Sequence, residues 1–446
     1  MRWRVNVSEK KSVISWALYD WANSAFATTV IAGFFPLFFK QYWSAGVDTA
    51  VSTARLGLAN SLAGVVIALG APVLGAIADR GTSRKRFLIF FALMGMVATS
   101  AMALISAGAW VNAVWLYVIA SIGFSGGNVF YDSLLPGVAP KNREHFVSAL
   151  GFALGYLGGG VLFALNVWMT LRPSFFGFAD SAQAVRISFL SVGIWWALFA
   201  VPLMMFVREP SAPGKAARGA GMVREGIKQL GHTFREIRHL RVIFLFLAAY
   251  WLYIDGVDTI IRMAVDYGLS LGFQAGDLIL ALLITQFVGF PCAVAFGLLG
   301  QKIGAKRAIL AAIGVYLFVS VWGAFIQSKA EFYALAIIIG FVQGGVQALS
   351  RSFYSRIIPK DRSAEYFGFY NMLGKFAAIV GPVLVGLTGL LARSMGAGGT
   401  LASRLSIVSL AVLFLSGGIL LLFVDEEEGR REAARLSAPD QETCAP

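Results

Sequence analysis

Twelve apolar stretches separated by polar turns set the pattern of this chain, at roughly 14–43, 56–79, 87–108, 112–136, 146–171, 185–207, 242–267, 276–300, 308–328, 331–357, 365–392 and 403–424. About 20 helical residues cross a hydrocarbon core of ~30 Å, so the pattern predicts an all-α polytopic membrane protein with twelve transmembrane helices. One polar segment is long. It runs from 208 to 241 and opens on the breakers Pro210, Pro213 and Gly214, dividing the chain into a first half, 1–207, a linker, 208–241, a second half, 242–424, and a tail, 425–446. Within the linker Val223, Ile227, Leu230, Phe234, Ile237 and Leu240 recur at helical spacing, with Arg224, Lys228, Arg235, Arg238 and Arg241 between them. This predicts a basic amphipathic helix lying on an anionic bilayer surface, with a partner-protein site as the alternative.

Composition agrees: 58% of residues are hydrophobic, 14% are charged and the mean hydropathy is +0.72. The net charge of +13 raises the question of nucleic acid, and its distribution answers it. Of the 37 Lys and Arg, 28 fall in the terminal segments and in the loops and adjoining span ends on their side of the membrane, seven fall in the opposite loops and span ends, and Arg262 and Lys375 are assigned to span interiors. That bias is the positive-inside rule. It places both termini in the cytoplasm, with the bilayer and not nucleic acid as the partner. Cys292 and Cys444 form no disulfide framework. The first span is too long for a signal-peptide core and is broken by Asp20 and Asn23, so it is read as a membrane helix.

The halves read as a parallel repeat, the form expected of two bundles of one orientation related by an axis along the membrane normal. Leu18-Tyr19-Asp20-Trp21-Ala22-Asn23 pairs with Leu252-Tyr253-Ile254-Asp255-Gly256-Val257-Asp258. Gly75-Ala76-Ile77-Ala78-Asp79-Arg80, with Arg84 and Lys85 after it, pairs with Gly297-Leu298-Leu299-Gly300-Gln301-Lys302, with Lys306 and Arg307. Pro140-Lys141-Asn142-Arg143 pairs with Pro359-Lys360-Asp361-Arg362.

The Gly-x-x-x-Asp-Arg turn with its basic cluster resembles the loop signature of the major facilitator superfamily. Within that superfamily, the segment from Tyr19 to Ala25, the segment from Asp255 to Ile260, and Phe367-Gly368-Phe369-Tyr370-Asn371 with Gly374-Lys375-Phe376-Ala377 are similar to the vacuole-effluxer-like branch. Its fungal members are linked to autophagy and export amino acids from the vacuole. The resemblance implies a major-facilitator-type fold of two six-helix bundles and a bacterial-type member in the inner membrane. It also implies that Asp79, Arg80, Arg84 and Lys85 form a gating latch, the acid meeting a helix N-terminus of the other half and the bases meeting cytoplasmic carboxylates. Gln301 stands where the second copy of the latch would have its acid, so an asymmetric latch is expected.

Counting ~1.5 Å per residue, Asp20 lies ~13 Å beyond Lys11 and Asp255 ~21 Å beyond Arg241, both within the hydrocarbon. A charge at that depth costs a few kcal/mol unless paired or wetted, and marks a functional site by default. Asp20, among Trp16, Trp21 and Phe26, is the first candidate for a coupling proton, with Asp255 and Asp258 beside it. Asn23 shares the helix face of Asp20. Asp258 and Arg262 stand at i and i+4, a spacing that allows an intrahelical ion pair. Lys375 has no acid within reach on its own helix; Asp20, Asp255 and Asp258 are its candidate partners, or it binds an anionic group of a substrate. Asn128 and Asp132 share a face, and Asp132 falls at Arg351 in the repeat, which predicts a pair across the halves that acts as a gate. Asn371, Gln343 and Gln347, with Asn23, Asp255 and Lys375, are candidate substrate ligands; Asn166 and Gln286 join them, though helix-to-helix hydrogen bonding is the commoner use of such residues.

No zinc spacing, phosphate loop, nucleophile elbow or Ser/His/Asp set is found, and His145, His232 and His239 lie in loops. No catalytic residue, metal or cofactor is therefore expected, nor an enzyme. The reading is a secondary transporter, proton-coupled and acting on a small molecule such as an amino acid, monomeric, and working by alternating access. A lipid or amphiphile translocator and a non-transporting scaffold or receptor on the same fold are the alternatives.

Overall fold

The computed structural model describes residues 7–47, 49–81, 83–209, 231, 233, 235–237 and 240–437. Twelve helices among them are long and apolar enough to cross a membrane. In the first half they are α1 (Val7–Trp43), α2 (Thr49–Gly81), α3 (Arg84–Ala101), α4 (Trp110–Val138), α5 (Glu144–Leu171) and α6 (Ser181–Phe206). In the second they are α7 (Arg241–Ser270), α8 (Ala275–Ile303), α9 (Ala305–Gly323), α10 (Lys329–Ile357), α11 (Ser363–Ser394) and α12 (Leu401–Leu422). A tail helix, α13 (Glu426–Ser437), follows. Prolines 72, 136, 202, 291 and 382 sit inside these helices, where neighbouring helices take over the backbone groups that a proline frees.

Each half closes on its own core. Trp16, Tyr19, Phe26, Trp43 and Trp196 are buried in the first, and Tyr253, Tyr316, Phe353 and Tyr354 in the second. Lipid tails are as apolar as leucine, so close packing holds such helices together, and the rings stack. Trp16 lies on Tyr131 with centroids 4.4 Å apart and Tyr250 on Tyr370 at 4.1 Å. The halves meet along α2 with α11 and along α5 with α8, while α10 also packs on α5 and α4 on α11. The seam between α2 and α11 needs missing side chains: a Cβ on Gly368 would stand 2.6 Å from Pro72 Cα, and one on Gly75 would run into the Ala364 carbonyl.

Successive helices run in opposite directions, and α13 lies against Val242 at the start of α7 and Ile357 at the end of α10. That side of the bundle is termed the basic end. Arg362, at the head of α11, binds Glu236 of the linker at 2.9 Å and also Thr233. Residues 210–230 and Phe234, which carry most of the predicted amphipathic helix, lie outside the described residues, as do His232, His239 and Cys444.

One feature has no counterpart in the sequence pattern. From Phe26 to Phe34 and from Phe39 to Trp43, α1 widens into π turns: the Phe35 N–H donates to Val30 O and the Ser44 N–H to Phe39 O, five residues back. Such turns are rare and cluster at functional positions.

Candidate functional site

Arg351 of α10 sits at the junction of both halves with 3% of its surface exposed. Its Nη1 binds Asp132 Oδ1 of α4 at 3.0 Å and its Nη2 binds Asp20 Oδ2 of α1 at 3.2 Å. Two further donors go to α5: Nε donates to Ser148 Oγ and Nη2 to the Ser148 carbonyl, both at 2.9 Å. The Tyr131 hydroxyl donates to Asp20 Oδ2 at 2.8 Å, and the rings of Phe152 and Trp16 lie 4.3 and 4.9 Å from the guanidinium carbon. A buried charge persists where it is paired and hydrogen-bonded; this guanidinium is paired with two acids and places four of its five N–H donors. Helical spacing assembles the cluster, since Trp16 with Asp20 and Ser148 with Phe152 are i, i+4 pairs on single faces. Gly151 lets α5 pass: a Cβ there would stand 2.5 Å from Asp20 Oδ2. Two acids share one cation, so the ionised cluster carries a charge of −1.

Nearer the basic end, Asp79 accepts the N–H groups of Glu365 at 2.8 Å and Ala364 at 3.2 Å, the first turn of α11. A carboxylate there meets unsatisfied donors and the positive end of the helix dipole. Arg84 Nε lies 2.6 Å from Asp79 Oδ1, and its Nη2 donates to the Asp361 carbonyl at 2.6 Å. Lys85 turns to its own half, donating to the Val207 carbonyl at 2.9 Å beside Glu209, which caps the head of α3 by accepting from the Arg84 N–H at 2.7 Å. The Arg80 side chain lies outside the described residues. Gln301, in the other copy, is exposed and lines a cavity of about 350 Å³ with Asn142, His145, Arg356 and Glu426. His145 contacts Ser352 Oγ at 2.8 Å, and Arg356 pairs with Glu426 of the tail at 3.1 Å.

The polar residues deeper in the bundle largely satisfy one another. Asn23 Nδ2 donates to Asn128 Oδ1 at 2.6 Å, so Asn128 is tied to α1 and not to the Asp132 pair. Asn371 donates to Asp132 Oδ2 at 3.3 Å and to the Phe367 carbonyl at 3.0 Å. The Tyr156 hydroxyl reaches Gln347 Oε1 at 3.3 Å across the halves, with Gln343 buried one turn away on α10. Gln286 of α8 donates to Thr28 Oγ1 in the widened part of α1 at 3.2 Å, and Asn166 accepts from Ser191 at 3.1 Å.

On α7 the outcome differs from expectation. Both Asp255 oxygens accept the Gly381 N–H at 2.9 Å, and Thr259 Oγ1 donates to Oδ1 at 3.3 Å, so this acid does not reach Lys375. The Asp258–Arg262 pair that the i, i+4 spacing allows is not formed within 4.0 Å; the Arg262 side chain is exposed and Asp258 is half-buried. Asp20 is held by Arg351, which leaves Asp258 as the acid acting on half-buried Lys375, with Arg262 as the second cation nearby. Tyr131, Ser148, Phe152 and Gly381 escaped the sequence reading. Uncharged residues in an apolar span carry no cost that would single them out; helical phase alone, placing Ser148 and Phe152 around Gly151, held the signal.

Residues 8–434 match the model of the family described as vacuole effluxer Atg22 like. The chain belongs to that family. It is 39% identical over 415 residues to the uncharacterized MFS-type transporter YxiO of Bacillus subtilis, spanning 93% of this chain and 94% of that one. It is 23% identical over 493 residues to autophagy-related protein 22 of Yarrowia lipolytica, covering 90% and 80%. Among solved structures, the proton:xylose symporter XylE superposes with a TM-score of 0.70 at 15% identity, covering 97% of this chain and 98% of its own. The human organic anion transporter MFSD10 gives 0.69 at 15%, covering 93% and 99%. The architecture is that of a major facilitator transporter, embedded in the membrane by twelve helices.

Proposed function

We propose that the protein carries a small solute across the bacterial inner membrane by alternating access, its basic end in the cytoplasm, and that protons drive the cycle. The observation that carries this reading is the shared guanidinium of Arg351. Asp20 and Asp132 belong to one half and Arg351 to the other, so their pairing is compatible with the halves joined and not with the halves parted at this level. Uptake of a proton by Asp20 removes one acid, leaves Arg351 balanced by Asp132 alone and loosens the joint. The latch of Asp79 on the head of α11 closes the same end, so the conformation is one sealed towards the cytoplasm.

For the solute, Asp258 supplies an acceptor for an amino group, and Lys375 with Arg262 supplies cations for a carboxylate. An amino acid or similar small zwitterion fits this set. Relatives named for autophagy and a structural neighbour named as an organic anion transporter are compatible with a carboxylate-bearing substrate. The decisive experiment begins with a thermal-shift screen of the purified protein against amino acids, peptides and sugars. Hits are then tested for uptake into proteoliposomes under an imposed pH gradient. An amino acid that stabilises the protein and accumulates only under the gradient is the expected result; accumulation indifferent to the gradient sinks the proton reading.

A further inference from the structure

Asp255, a candidate for proton coupling or substrate binding, is held by the backbone of a neighbouring helix. Pro382 lies inside α11, which runs as one α-helix from Ser363 to Ser394; it has no N–H, so the carbonyl one turn back loses its helical donor. The Gly381 N–H in that turn is taken by both oxygens of Asp255, 2.9 Å from each. Thr259, one turn along α7, donates to the same carboxylate at 3.3 Å. The approach is so close that a Cβ on Gly381 would stand 2.7 Å from Asp255 Oδ1 and would overlap Thr259 Oγ1. The carboxylate is 1% exposed and makes no ion pair among the described residues. Lys375 lies six residues earlier on the same helix, ~9 Å along its axis at 1.5 Å per residue.

We infer that Asp255 is a positioning residue: it clamps α11 at Gly381 to α7 and so sets the placement of Lys375 beside Asp258. The anion has a physical reason to be there. A carboxylate is a strong acceptor for a backbone N–H, and a buried charge persists where such donors meet it. The α11 backbone is thereby tied to α7 at Gly381. Asp258, three residues from Asp255 on α7, faces the same lysine electrostatically. The clamp thus holds in register the two helices that carry the opposed charges of the site. The consequence for a bound carboxylate rests on the transport reading; the clamp itself does not.

The test uses purified full-length protein without a solute, so that failure to find transport leaves it interpretable. Hydrogen exchange is followed in peptides covering Val380–Val385, and acetylation of Lys375 by sulfosuccinimidyl acetate is followed by mass spectrometry, with the exposed Lys329 as internal control. D255A is expected to raise exchange of the Gly381 amide at least tenfold and to change the Lys375 acetylation rate at least threefold, leaving Lys329 unchanged. D255N, which keeps one acceptor oxygen and tests the idea should D255A not fold, is expected to fall between D255A and the parent on both readouts. Unchanged Gly381 exchange in both variants overturns the clamp. Exchange raised evenly through α7 and α11, with Lys375 reacting at the parental rate, overturns the positioning role.

Discussion

The two acids that the repeat makes equivalent, Asp20 and Asp255, are used in opposite ways. Asp20 is held from the other half, by a cation 331 residues away in sequence; Asp255 is held within its own half, by a backbone amide. Asp20 meets α5 at Gly151, while Asp255 meets α11 at Gly381, which the Pro140 and Pro359 alignment sets against residue 162. That is eleven residues further along, or ~16 Å at 1.5 Å per residue. The two positions thus share the acid and differ in its partner. An ion pair between halves must break when the halves part, so Asp20 responds to conformation. An amide bond between helices of one bundle moves with that bundle, so Asp255 need not.

The sharpest way to break this contrast is to remove both partners. R351A leaves Asp20 and Asp132 buried without their shared cation, and loss of one member of a buried ionic network costs roughly 3–5 kcal/mol. D255A removes a hydrogen bond to a charged group, about 1.5–3 kcal/mol. Denaturation of the two purified variants in the same detergent should therefore rank R351A well below D255A; equal losses would mean that the shared guanidinium is no more than another helix contact. The next effect is functional. Uptake into proteoliposomes by D20N should fall at least tenfold and lose its dependence on the pH gradient, whereas D255N, tested alongside, should keep that dependence at reduced rate. The reverse pattern would exchange the roles of the two acids.

The parts that were legible in the sequence share a cause. A helix must be ~20 apolar residues long to cross the bilayer, so twelve spans and their grouping into halves could be read from hydropathy, and the Asp132–Arg351 pair from opposite charges at one repeat position. Asp79 on the head of α11 followed from the loop signature. What stayed hidden involved partners that carry no charge of their own. The Gly381 amide is a backbone group that no side chain announces, and Asn128 is drawn away from Asp132 by Asn23, which has an identical capacity for hydrogen bonds. Recruitment of Asp20 to Arg351 depends on where α5 lets α1 pass, which is a matter of Gly151 and tertiary packing. The π turns of α1 likewise leave the apolar pattern unchanged.

The contrast between halves extends to the latch, where the expected effects are smaller. D79N keeps an acceptor for the Glu365 N–H but loses the charge that meets the helix dipole and Arg84, about 1–2 kcal/mol. Ser363 is fully buried there and donates to the Ser133 carbonyl at 2.8 Å. A cysteine introduced as S363C should label with a water-soluble maleimide several-fold faster when D79N is also present. If the rate is unchanged, Asp79 does not hold this end shut.

The smallest effect concerns the missing acid. Q301D restores the carboxylate that the first copy has, and its natural target is the head of α5, where Arg143 precedes Glu144. A carboxylate at a helix N-terminus contributes about 0.3–1 kcal/mol when exposed, and Gln301 is exposed. The same cavity already holds Glu426 and Glu427 of the tail, which repel a new acid, and Glu426 occupies Arg356. Q301D alone should therefore leave the melting temperature nearly unchanged, whereas Q301D combined with E426Q should melt higher than E426Q alone. That difference would show the tail acid standing in for the latch acid of the second half. If instead Q301D stabilises the protein by the full amount with the tail intact, Glu426 plays no such part, and the asymmetry of the latch lies in Gln301 alone.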